Sequence, residues 1–384
     1  MPRNGAGNRG GIELIDVQLI AKTVAWWGFG LGLIFGFFAN KTNFCTMGAV
    51  SDVVNMGDWG RMRAWMLAMA VAIIGTNVLA YSGAIDLGKT IYTGPNVPWL
   101  AHVVGGLCFG VGMTLASGCA NKTLVRVGGG NLKSVVVFIY LGFAAFVTLR
   151  GILGAFRVGV LQAPAVTLHL SGSQTLPALL HGALGLDLRA AELAIALAAA
   201  GLLLAFVVFN REFWSARENL LAGLVVGAVI IAGWYVTGRL GLAEDPDSLE
   251  VVVFGTNSKL AESMSFVAPT AYTLEYWQYW TDASTVITFG IATVFGVGIG
   301  SFLYALATKS FRWEHFSSAQ DMFRHIIGGT LMGFGGVTAM GCTIGQGITG
   351  VSTLSIGSIL ATVSIIIGAA ATMKFEYWRM MREA

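Results

Sequence analysis

Nine mostly apolar stretches recur along the chain, at 24–40, 64–82, 101–117, 134–153, 190–209, 220–238, 284–307, 325–341 and 357–374. About 20 such residues carry a helix across the hydrocarbon core of a bilayer. Runs this long and unbroken differ from the alternating ten-residue strands of an outer-membrane barrel. The pattern therefore predicts an all-α polytopic membrane protein of about nine spans and excludes sheet architectures. A mean hydropathy of +0.71 agrees, as does a charged fraction of 11% against about 25% in soluble domains. The first apolar run begins near Val24 with no small-residue cleavage site behind it, so it reads as an uncleaved span.

Charge sets the expected orientation. Fourteen of the 23 Lys and Arg residues fall on the side that carries 41–63, 118–133, 210–219, 308–324 and the C-terminal tail with Lys374; nine fall on the other. By the positive-inside rule the C-terminus is cytoplasmic and the N-terminus external. A net charge of +3 with scattered basic residues implies a lipid bilayer as surroundings and no nucleic-acid partner. Cys45, Cys108, Cys119 and Cys342 form no C-x-x-C pair and sit in or beside apolar segments, so neither a disulfide framework nor a metal site is expected. Gly83 to Thr90 spells a P-loop, but a membrane span precedes it and Gly94, Pro95 and Pro98 follow where a phosphate-cradling helix is required, so nucleotide binding is rejected.

An internal repeat is the most informative feature. Shifted by 223 residues, His102–Cys119 falls on His325–Cys342 with eight identities in eighteen, among them His and Cys, both rare in this chain. A second shift, of 260, lays Phe29–Gly36 on Phe289–Gly296. The expected organisation is an external N-terminal segment (1–23), a first half (24–153), a central linker with two spans and an acidic external loop (154–283), a second half (284–374) and a cytoplasmic tail (375–384). Repeats of this kind put a substrate site at their interface near mid-membrane; parallel and inverted arrangements both remain open.

Each repeated helix ends in Gly-Cys and then breaks into polar, glycine-rich chain. Gly118-Cys119 runs into a segment with Asn121, Lys122 and Arg126, and Gly341-Cys342 into one with Gln346. Irregular backbone at membrane depth survives only where protein or a water-filled cavity satisfies it, and half-helix N-termini aimed inward suit a small anion. A third break, Asn40 to Cys45, follows the first span and has no partner in the second half. A neutral thiol is a weak donor with a soft, polarisable surface, matched to sulfur or selenium rather than to the hard oxygens of sulfate. Buried beside an anion, it keeps its proton. Cys108 aligns with Leu331 and reads as packing, as do the glycines recurring at four-residue spacing. His102 and His325 begin the repeated helices near the expected external surface, as polar caps or proton handlers; no haem or other cofactor is implied.

At these residues the sequence resembles the YeeE/YedE family of bacterial sulfur-compound transporters. The matching pieces are FANKTNFCTMGAVSD around Cys45, GGLCFGVGMTLASGC ending at Cys119, and GGTLMGFGGVTAMGCTIGQGITGVSTLSIGS around Cys342. The resemblance implies an hourglass-shaped protein whose funnels meet at a neck, where Cys45, Cys119 and Cys342 pass thiosulfate along by transient S–H hydrogen bonds. It also implies a soluble cytoplasmic sulfur carrier as a partner. Secondary pathway candidates are Gly118, Gly341, Asn121, Lys122, Arg126, Gln346, His102 and His325. The expected function is uptake of thiosulfate or a related small sulfur anion, without enzymatic activity. The alternatives are transport of another sulfur or selenium species, or a sulfur relay forming a cysteine persulfide, for which Lys122 is the evident activating group.

Overall fold

The computed structural model describes residues 6–184, 187–245 and 249–383; Arg3 and the rest of 1–5 lie outside the described residues. In chain order the helices are α1 (Ala6–Lys41), α2 (Thr46–Met56), α3 (Gly60–Tyr81), α4 (Trp99–Leu115), α5 (Ala120–Gly128), α6 (Leu132–Arg150), α7 (Ile152–Phe156), α8 (Leu176–Leu184), α9 (Leu188–Val208), α10 (Arg211–Ser215), α11 (Arg217–Tyr235), α12 (Ala268–Gln278), α13 (Phe289–Ala307), α14 (Ala319–Thr338) and α15 (Ile356–Glu383). The described sheet is confined to two small antiparallel pairs in loops. The protein is an all-α polytopic membrane protein, with eight helical segments long and apolar enough to cross a bilayer among the described residues. The ninth expected stretch, 325–341, lies mostly in α14, whose first turns carry Asp321, Arg324 and His325 and are too polar for that group.

Glycine decides which helices touch. A methyl on Gly36 would stand 2.1 Å from the Val297 carbonyl oxygen, and one on Gly300 2.1 Å from that of Leu33. Gly28, Gly32 and Gly36 meet Phe289, Thr293 and Val297 in rising order, so α1 and α13 run side by side in the same direction. Gly106 and Gly110 seat α4 on α15, and Gly329 and Gly333 seat α14 on α6, each pair likewise parallel. The small-residue spacing thus serves close packing of helix backbones.

The repeated helices themselves run in opposite directions. Gly105 abuts Gly335 and Ala339, whereas Gly112 abuts Gly328 and Met332, so α4 and α14 cross antiparallel. The 223-residue repeat is therefore inverted. The 260-residue match relates the parallel neighbours α1 and α13, so it cannot belong to the same symmetry operation. Parallel packing of α3 on α11 mirrors that of α13 on α1: Gly223 and Gly227 on α11 meet Ala64, Leu67, Ala68 and Val71.

Candidate functional site

Three helices end in the same way, and each ending delivers a cysteine. Asn43, Ser117 and Met340 adopt left-handed backbone, with φ of 54°, 54° and 63°. At each, the next residue's N–H reaches back five residues to a carbonyl, Phe44 to Ala39, Gly118 to Met113 and Gly341 to Gly336. These are Schellman caps, which satisfy the carbonyls orphaned at a helix end. The cysteine follows two residues after the left-handed position, and a new helical segment starts from it: α2 after Cys45, α5 after Cys119 and, shortly after Cys342, the π-helical turn Gly345–Gly350.

The caps converge. Cys45 Sγ lies 3.7 Å from Cys119 Sγ, and Cys119 donates its S–H to Asn121 Oδ1 at 2.7 Å. Either sulfur can be the donor in the contact between the two thiols. The Gly48 N–H donates to Cys45 Sγ and the Gly345 N–H to Cys342 Sγ, both at 3.4 Å. The Thr343 hydroxyl stands beside Cys119 and ties the Cys342 turn to the other pair. All three thiols are buried, while Cys108 is half-buried on α4. The Thr343 hydroxyl and the Asn121 Nδ2 are buried with no hydrogen-bond partner. Buried polar groups are ordinarily satisfied, so two unspent donors beside the thiols mark a place with capacity for an acceptor.

A cavity opens on either side. The first, about 210 Å³, is lined by Tyr92, Arg157, Glu262, Ser265, Tyr272 and Gly341, beside Cys342. The second, about 350 Å³ and more polar, holds Lys122, Arg126, Lys133, Arg312, Asp321 and His325 among its lining residues. No lining residue is common to the two. In the second, Lys122 donates to Asn43 Oδ1, and Arg126 Nη1 bonds the Ser117 carbonyl at 2.7 Å, buttressing that cap. Asp321 accepts from Lys133 at 2.7 Å, which holds its carboxyl below the usual range.

The secondary candidates divide. Asn121, Lys122 and Arg126 lie around the Cys45–Cys119 pair. Gln346 donates to the Ala339 carbonyl and keeps a buried, unpartnered Oε1, and a methyl on Gly341 would crowd its Cγ at 3.0 Å. A methyl on Gly118 would meet nothing closer than 3.4 Å. His102 and His325 do not share a surface, correcting the expectation: His102 Nδ1 donates to the Ala339 carbonyl at 3.3 Å, at the far end of α14, while His325 pairs with Asp321 at its start. At 1.5 Å per residue about 20 Å of helix separate them, because inversion sends equivalent residues to opposite sides. The P-loop spelling folds as a short 3₁₀ turn, Leu87–Lys89, capped by Asp86, which follows helix α3 and not a strand and does not open a helix. Sequence reading missed Thr343, Asn43 and Glu262; the signal for Asn43 was its place in the Asn40–Cys45 break.

Residues 41–371 match the family described as sulphur transport, a span that takes in all three cysteine turns. The chain belongs to the sulphur transport family. It is a multi-pass transport protein of that family and not an enzyme. Within the family it is similar to the thiosulfate transporter TsuA of Escherichia coli (strain K12), 26% identical over 93% of this chain and 96% of that protein. The thiosulfate transporter TsuA of Spirochaeta thermophila is likewise 26% identical, over 89% and 96%. The probable transporter YedE of Escherichia coli is 33% identical over a shorter stretch, 29% of this chain and 28% of that protein.

Proposed function

We propose that this protein carries thiosulfate inward across the bacterial inner membrane, from the Glu262-lined cavity past Cys342 and Thr343 to the Cys119–Cys45 pair and on to Lys122 and Arg126. The single observation that carries this reading is the contact of two buried thiols, Cys45 and Cys119, 3.7 Å apart, with the buried Cys342 turn reaching them through Thr343, between cavities on opposite sides. Stripping a small dianion of water is costly unless donors replace the lost hydration. Thiols offer donors weak enough to let go, which conduction requires as much as binding, and their soft sulfur matches the terminal sulfur of thiosulfate. The two unspent donors, Thr343 and Asn121, add hydrogen bonds at the narrowest point. Beyond them the basic lining of the second cavity draws the anion out.

With the basic-rich loops inside, the second cavity faces the cytoplasm, the C-terminus is cytoplasmic and the N-terminus external. The anion is delivered to that cavity, where a soluble sulfur-carrier protein would collect it. The pathway lies between the inverted helices α4 and α14, with α11 packed chiefly on α3 and α12 on α6 and α13, so that part of the expected 154–283 linker is built into the helical body around them. Growth on thiosulfate as sole sulfur source, in a strain lacking other uptake routes, tests the proposal. Cys119→Ala and Cys342→Ala are each expected to abolish growth at wild-type membrane abundance; normal growth of either variant removes that thiol from the pathway.

A further inference from the structure

We infer that Glu262 is a proton-binding site in the outer cavity, and that the anion reaches Cys342 only when that site holds its proton. The inference rests on the proposed pathway and adds a protonation-dependent gate to it.

Glu262 lies on the segment between the end of α11 and the start of α12, anchored by its backbone: its N–H bonds the Thr237 hydroxyl at 3.1 Å, and that hydroxyl donates to its carbonyl at 2.5 Å. The side chain lines the same cavity as Ser265, Tyr272 and Gly341, the residue before Cys342. Among the described residues, no hydrogen bond or ion pair reaches its carboxyl. Nearby cations are spent elsewhere: Arg157 donates to the Thr148 carbonyl at 3.2 Å and to Gln162 at 3.4 Å. Lys89 is directed to the Val251 carbonyl and Lys259 to Asp245, and Arg150 is paired with Glu275 at 2.6 Å. The other titratable groups toward the cavity are Tyr92, on the loop before α4, and Tyr272, on α12. Burial pushes both phenols up, so they remain neutral.

An ionised carboxylate at this position would confront the incoming dianion with a like charge that no ion pair offsets: Arg157 lines the same cavity, but its guanidinium is held on the Thr148 carbonyl and Gln162 and not on the carboxyl. The protonated carboxyl removes that repulsion and presents an O–H donor. Burial alone carries the group to about 8, so the carboxyl is protonated below that pH and ionised above it. No bond is made or broken in the cycle beyond this reversible protonation: the carboxyl takes its proton from the external solution and returns it there.

The test is radiolabelled thiosulfate uptake by cells lacking other routes, at external pH 6 to 9, together with infrared spectra of the purified full-length protein. Wild-type uptake is expected to fall about tenfold at pH 9, following the protonated fraction of a group titrating near 8. Glu262→Gln, a permanent stand-in for the protonated form, is expected to keep the pH 6 rate throughout. A carboxylic C=O band should fade between pH 7 and 9 in wild type and be missing from the variant. The inference is overturned if Glu262→Gln shows the wild-type pH profile, if it reaches the membrane normally yet carries nothing at pH 6, or if wild type lacks the band. The band is read without transport, so it decides the proton site even if thiosulfate proves to be the wrong substrate. Wild type alone supplies it should the Gln variant fail to accumulate.

Discussion

At the residue scale the site depends on where a helix stops. Three non-glycine residues, Asn43, Ser117 and Met340, accept a backbone conformation that L-amino acids disfavour by about 1–2 kcal/mol, and each thereby aims the residue two positions on. Ser117 is exposed, with its carbonyl held by Arg126. Ser117→Gly removes the Cβ penalty and loses no buried contact, so the purified protein should gain about 1 kcal/mol, seen as a higher melting temperature with uptake unchanged. Arg126→Met should have the opposite effect, since the buttress on that cap is lost; a melting temperature equal to wild type would show the cap to be self-sufficient. Asn121→Leu keeps much of the side-chain volume but deletes the Cys119 acceptor and an unspent donor, and is expected to reduce thiosulfate uptake at least tenfold while the protein still accumulates. Cys119 and Cys342 were legible from the repeat because two rare residues recurred in register. Cys45 showed in the sequence only as a third break without a repeat partner, and the family resemblance gave it its role, since a Schellman cap built on Asn43 has no glycine to announce it.

Among the elements, packing rests on pairs of helices brought to backbone contact by glycine. Any side chain at Gly36 or Gly300 meets a carbonyl oxygen at 2.1 Å on the facing helix, and neither backbone can yield locally. Gly36→Ala or Gly300→Ala should therefore part α1 from α13 and destabilise the protein by about 1–3 kcal/mol, as overpacking does, read as a lower melting temperature in detergent. The same substitution at Gly30 or Gly298, which have open space around them, should leave the melting temperature within error of wild type. The four-residue glycine spacing identified the packing faces in advance, but not the partners. Equal spacing on α4 and α14 seats one helix on α15 and the other on α6, a choice made by the direction in which each helix crosses.

For the whole molecule, inversion of the repeat explains why the two cavities open on opposite sides while equivalent cysteine turns meet between them. The proposed orientation predicts that green fluorescent protein fused to the C-terminus fluoresces in intact cells, and that an N-terminal epitope is stained in spheroplasts without permeabilisation; the reverse pattern would reverse the transport direction drawn above. The amino-acid sequence determined the membrane-spanning helical class, nearly all the spans and the existence of two related cysteine breaks, because hydrophobic length, charge bias and recurrence of rare residues are local properties that survive without coordinates. It also determined the polar character of those breaks. Only the tertiary structure decided that the repeat is inverted, that the two histidines lie at opposite ends, that Cys45 joins Cys119, and that a carboxyl from the central region opens into the cavity beside Cys342. Those are relations between segments up to 223 residues apart, fixed by helix direction and packing, and no periodicity along a single chain records which way a neighbouring helix runs.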